Sequence, residues 1–195
     1  MILRPEILTH ENIPKPLHGR NPRTILGQKW WNIVRKEAYA KNDFRCWACG
    51  EHKDDAPYRR YLEAHEFYKI DHETSTVEYV EPVALCHSCH NFIHSGRMFS
   101  LLQKGEMSDH KVRSILERGF EILSENNLVA FWKTRFFWMV LNGYSEAEAE
   151  LFLLNNGSIP ATHYDNKWSE WTLKIEDKEY YSLFENEQAW ANHYQ

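Results

Sequence analysis

With 195 residues, 43% of them hydrophobic and 26% charged, the chain has the composition of a folded globular protein and not of a disordered one. A net charge of −5 argues against a uniformly basic nucleic-acid binder, but the charge is uneven: residues 1–60 carry 12 Lys and Arg against 7 Asp and Glu, and the rest is acidic. No apolar run reaches the roughly 20 residues that span a bilayer, and "MILRPEILTHENIPKP" has charges and prolines where a secretory signal needs an apolar stretch. A cytoplasmic location with no membrane partner is expected.

Residues 1–28 hold prolines at 5, 14, 16 and 22 and show no clear period, so they are expected as an extended segment that orders only against a partner or the domain surface. From Gln28 to Lys41, Trp30, Trp31, Val34 and Ala38 recur at helical spacing and lead directly into "CWACG". "YLEAHEFYKI" and "TVEYVEPVAL" read as two strands around the turn "DHETS", and "CHNFIHSGRM" as a short helix that closes near Gly96.

Helices dominate after residue 100. Ser108 caps a segment whose Val112, Ile115, Leu116, Phe120 and Leu123 form one apolar stripe. Residues 129–141 are apolar nearly all round and are expected in the core. Ser145 and Glu148 form a capping box for a helix ending at Asn155-Asn156-Gly157. Trp171, Leu173 and Ile175 alternate into a β-hairpin, followed by a short helix around Trp190. The expected domains are an N-terminal segment 1–28, a zinc and metal domain 29–100, and a helical extension with a hairpin 101–195.

The four cysteines fall as two Cys-x2-Cys pairs, Cys46/Cys49 and Cys86/Cys89. Two such turns can close a tetrahedral four-sulfur site, and in a reducing compartment they point to structural Zn2+ and not to disulfides. His90 and His94 stand four apart, so on a helix their rings share a face and can grip one ion, with His65 the natural third ligand. Three histidines leave coordination positions open, as a catalytic cation site requires.

"CWACG … LEAHE … ALCHSCHNFIH" resembles the HNH endonuclease family over roughly residues 30–97. The resemblance implies an α+β chain with a central ββα-metal module, braced by zinc on Cys46, Cys49, Cys86 and Cys89. It further implies a catalytic cation (Mg2+, Mn2+, Ni2+ or Zn2+) on His65, His90 and His94. Two positions depart from the family: Glu66 stands where a histidine commonly serves as base, and Glu81 replaces the asparagine of the middle letter.

On this resemblance the expected activity is metal-dependent hydrolysis of DNA phosphodiester bonds. Glu66 or His72 would serve as base, while Glu63, two residues before His65, would orient a ligand ring. Arg59, Arg60, Lys69 and Arg97 are the candidate phosphate contacts, and His87, inside the zinc turn, is set aside. A second reading is an inactive zinc-braced module that binds nucleic acid or a protein. A third makes the acidic, aromatic C-terminal half a surface that docks on a basic protein partner and regulates it.

Overall fold

The computed structural model describes residues 1–159 and 167–194. They form a mixed α and β fold with seven α-helices: α1 (Pro22–Lys41), α2 (His87–Ile93), α3 (Ser95–Gln103), α4 (Asp109–Glu125), α5 (Trp132–Leu141), α6 (Glu146–Asn155) and α7 (Glu187–Tyr194). Four strands, β1 (Glu63–Asp71), β2 (Thr76–Leu85), β3 (Thr172–Ile175) and β4 (Lys178–Tyr181), form one sheet in the order β1-β2-β3-β4. Among the described residues no helix is long and apolar enough to cross a membrane.

The chain divides into two units, each built from separated stretches. The first takes residues 1–11, 39–65 and 84–159; the second takes 12–38, 66–83 and the described residues from 167 onward. In the second unit Asp71 Oδ1 accepts the backbone N–H groups of Glu73 and Thr74, which folds "DHETS" into a turn. Thr76, Val77 and Glu78 of β2 pair in parallel with Thr172, Leu173 and Lys174 of β3, and β3 turns back antiparallel on β4. The alternation of Trp171, Leu173 and Ile175 puts all three on one face, where they bury with Leu17, Tyr68 and Val77.

Gly27 interrupts α1 with φ 88°, a left-handed value that glycine adopts without a Cβ penalty. The amphipathic stretch beginning at Gln28 is therefore a helical piece separate from Pro22–Leu26. The expected extended N-terminal segment instead contains two short 3-10 turns, Pro5–Thr9 and Lys15–Leu17, because Ile7, Leu8 and Leu17 are fully buried anchors.

In the first unit, the Pro5–Thr9 turn packs on α2 and α4. Asn42 ties down the chain start by accepting from Ile2 N and donating to Ile2 O, and Arg4 N donates to Trp47 O at 2.6 Å. Ser108 Oγ caps α4, and Ser145 with Glu148 forms the full reciprocal capping box of α6.

Two expectations need correction. The helix after Cys86 does not close at Gly96: it breaks at His94 (φ −87°, ψ 40°), and α3 runs on from Ser95 to Gln103. Gly96 is helical, inside α3, and a Cβ there would meet the Phe137 ring at 3.5 Å, an ordinary van der Waals contact. Nor is α5 a core helix. Its apolar side chains are half-buried and only Thr134 is fully buried, its hydroxyl 2.9 Å from that of Ser95.

Gly119 lets α4 approach α2 closely. A Cβ there would stand 2.0 Å from the ring of the fully buried Phe92 on α2. Gly119→Ala gains about 1 kcal/mol of helix propensity but overpacks this contact, at a cost of about 1–3 kcal/mol. The substitution is expected to lower stability in urea denaturation; an equal or higher midpoint would contradict this packing of α2 on α4.

Candidate metal centres

Local backbone geometry builds the four-cysteine cluster. Arg45 and His52 form an isolated β-bridge that closes the first turn, Cys46 N donates to Glu51 O at 2.8 Å, and Gly50 N donates to Cys46 O at 2.8 Å. Cys86 directly follows β2 and is the N-cap residue of α2, which carries Cys89 one turn later. Trp47 N donates to Ala84 O at 2.8 Å, which joins the two turns directly.

The four sulfurs lie within 4.8 Å of one another, with Cys49 Sγ 3.9 Å from Cys86 Sγ. Sulfurs at the usual 2.3 Å from a tetrahedral zinc stand about 3.8 Å apart, so the cluster is compatible with a structural zinc site. Hydrogen bonds from Cys46, Cys86 and Cys89 hold the Cys49 thiol far below its usual range, while burial pushes Cys46 up and the hydrogen bond to Cys46 pushes Cys89 up.

Arg118, from α4, compensates the negative charge of Cys49. Its Nη2 donates to Glu51 Oε2 at 2.6 Å. Burial opposes its charge, yet a hydrogen bond to Cys49 and the charges of Cys49, Glu51 and Cys89 more than offset that, and its pKa rises.

One nitrogen each from His65, His90 and His94 also falls within 4.8 Å of the others. His65 Nδ1 is 3.2 Å from His94 Nε2, close to the roughly 3.3 Å between two nitrogens on a tetrahedral ion with 2.0 Å bonds. Burial, reinforced by the neighbouring histidines, pushes the His65 imidazole well below its usual pKa; burial first, then the charges of His90 and Arg97, takes His94 down to about 3. Both rings are therefore neutral near pH 7, the form that donates a lone pair to a cation. Only 4% of the His65 surface is exposed, while the side chain of His90 is 23% exposed and opens the cluster to solvent.

Glu63 stands behind this group. Its Oε2 is 2.5 Å from His90 Nδ1 and its Oε1 is 2.7 Å from His87 Nδ1. Burial resists ionisation of Glu63, but the hydrogen bonds from His87 and His90 outweigh it and hold the carboxyl well below the usual range. With Nδ1 engaged by Glu63, Nε2 is the nitrogen that His90 has left to offer a cation. His87 is buried, and Asn91 Nδ2 donates to its carbonyl at 2.8 Å.

The remaining site residues are scattered. Arg59 is exposed, donates to Tyr61 Oη at 2.6 Å and lies 3.5 Å from Glu63; Arg60 and Arg97 are exposed in the same unit. Lys69, Glu66 and His72 belong to the second unit, where Lys69 is exposed. Glu66 is close enough to the buried hydroxyls of Tyr68 and Tyr79 to add to the burial that raises their pKa, and His72 lies edge-on to Trp171 at 5.5 Å.

Sequence reasoning missed His10, His87 and Arg118. His10 Nδ1 stands 3.1 Å from His65 Nε2 across 55 residues of chain, a separation that no local spacing signals. His87 had the signal of adjacency to Cys86, but its partner Glu63 lies 24 positions away.

Freshly purified protein is expected to hold one tightly bound zinc per chain by elemental analysis. Stripping it with a chelator should lower the thermal midpoint by roughly 10 °C or more, at about 2–4 °C per kcal/mol for a chain of this size. Absence of zinc together with an unchanged midpoint would contradict a structural four-cysteine site. Compared with family models, curated proteins and solved structures, the chain gives no match in any of the three, so the reading of both centres rests on their geometry.

Proposed function

We propose that the chain is a metal-dependent DNA endonuclease of the HNH type. The observation that carries this reading is the convergence of three histidine nitrogens in a group that is partly open to solvent. The order of elements supports it: His65 lies on β1, β2 follows, and α2 presents His90 and leads to His94. This is the strand-strand-helix order that the resemblance to HNH enzymes implies, next to a four-cysteine cluster.

A divalent cation such as Mg2+, Mn2+, Ni2+ or Zn2+ on these histidines supplies Lewis-acid stabilisation of the charge that develops on a scissile phosphate. The chain contributes the neutral rings of His65 and His94 together with His90, whose Nδ1 is held by Glu63. Arg59, Arg60 and Arg97 are exposed cations of the same unit and are proposed to bind the DNA backbone, with Lys69 of the second unit as a further contact. Glu66, which follows His65 directly, and His72 are the proposed alternatives for taking a proton from the attacking water.

One observation favours the second reading, a zinc-braced module that binds nucleic acid or a protein partner without cutting. Both candidate bases are engaged with aromatic side chains of the second unit, Glu66 near Tyr68 and Tyr79 and His72 against Trp171.

Incubation with supercoiled plasmid and each cation separates the two. Nicked or linear product is expected with at least one metal, and His65→Ala and His90→Ala are expected to slow its formation by about 100-fold or more. Intact plasmid with every metal, alongside retarded migration of a DNA–protein complex, would replace the nuclease with the binding module. Variants that cut as fast as wild type would remove the histidine group from the chemistry.

A further inference from the structure

We propose that His10, delivered by the N-terminal segment, is a positioning residue of the histidine centre: it accepts the Nε2–H of His65 and so commits His65 Nδ1 to the cation. The inference rests on reading His65, His90 and His94 as ligands. His65 is buried with both ring nitrogens faced by other imidazoles, Nε2 by His10 Nδ1 at 3.1 Å and Nδ1 by His94 Nε2 at 3.2 Å. A neutral imidazole has one donor and one lone pair, so the choice of tautomer decides which side can ligate. A proton on Nδ1 would point into the ligand group and abolish the ligand; a proton on Nε2 has an acceptor in His10.

The geometry that places His10 is fixed independently of this contact. His10 ends the Pro5–Thr9 turn, where its N–H donates to Ile7 O at 3.1 Å. Ile7 and Leu8 are buried, the turn packs on α2 and α4, and Arg4 N donates to Trp47 O between the two zinc-type cysteines. The segment is thus held by the same turn that carries Cys46 and Cys49 and by the helix that carries His90. The His10 ring meets His65 nearly at right angles (85°, centroids 5.2 Å apart), with its Nδ1 within hydrogen-bond distance of His65 Nε2. His10 then does for His65 what Glu63 does for His90: each fixes the outer nitrogen of a ligand ring.

Titration of the zinc-loaded full chain with Co2+, followed by visible d–d absorption, tests this without any assay of activity. His10→Ala is expected to weaken cobalt binding about 10–100-fold with zinc content unchanged. His10→Asn, whose amide oxygen can replace Nδ1 as acceptor, is expected to stay within a few-fold of wild type. Wild-type affinity in His10→Ala, or an Asn variant as weak as the Ala variant, overturns the proposal while leaving the centre intact. Unchanged binding by His65→Ala, or a wild-type chain that takes no cobalt beyond its zinc, overturns the centre and His10's role with it. Nitrogen-15 NMR of the imidazoles in the unaltered chain adds a readout independent of folding in any variant: the His65 proton is expected on Nε2, and a proton on Nδ1 contradicts the assignment.

Discussion

The meeting of Cys46 and Cys49 with Cys86 and Cys89 sets the geometry of the first unit. Two turns far apart in sequence are clasped by the Trp47–Ala84 hydrogen bond and by four sulfurs within 4.8 Å. Cys86 O also accepts from His90 N, so the cysteine that closes the cluster starts the helix whose next turn presents His90. His90 O in turn accepts from His94 N, just where the helix direction breaks. A shift of the cysteine turn would therefore carry two of the three histidines with it.

The two clusters handle charge in opposite ways. The four-cysteine cluster favours negative charge on Cys49, which the neighbouring guanidinium of Arg118 offsets. In the histidine group burial keeps the His65 and His94 rings neutral, and the carboxylate of Glu63 is committed to His87 and His90. Such a division suits a closed brace beside an open cation site.

Legibility in the sequence followed the range of the interactions. The cysteine pairs, the His90/His94 spacing, the Ser145/Glu148 box and the Trp171-Leu173-Ile175 alternation all depend on neighbours within a few residues, and each is found in the structure. The parallel pairing of Val77 with Leu173, the Glu63 link to His87 and the approach of His10 to His65 depend on long closures that leave no local period. Glycine misled the reading at position 96 because a glycine after a helical run reads as a terminator, whereas the break falls two residues earlier at His94 and Gly96 lies inside α3. Residues 132–141 misled it because apolar composition does not reveal how much of a helix is covered, and α5 is covered only in part.

Anomalous diffraction from crystals of the full chain grown with zinc and cobalt tests the central claim most directly, because it locates each element without reference to activity. The account predicts two peaks per chain, zinc among the four sulfurs of Cys46, Cys49, Cys86 and Cys89, and a second ion between the rings of His65, His90 and His94. A single peak at the sulfurs, with the three rings closed on one another, would contradict it.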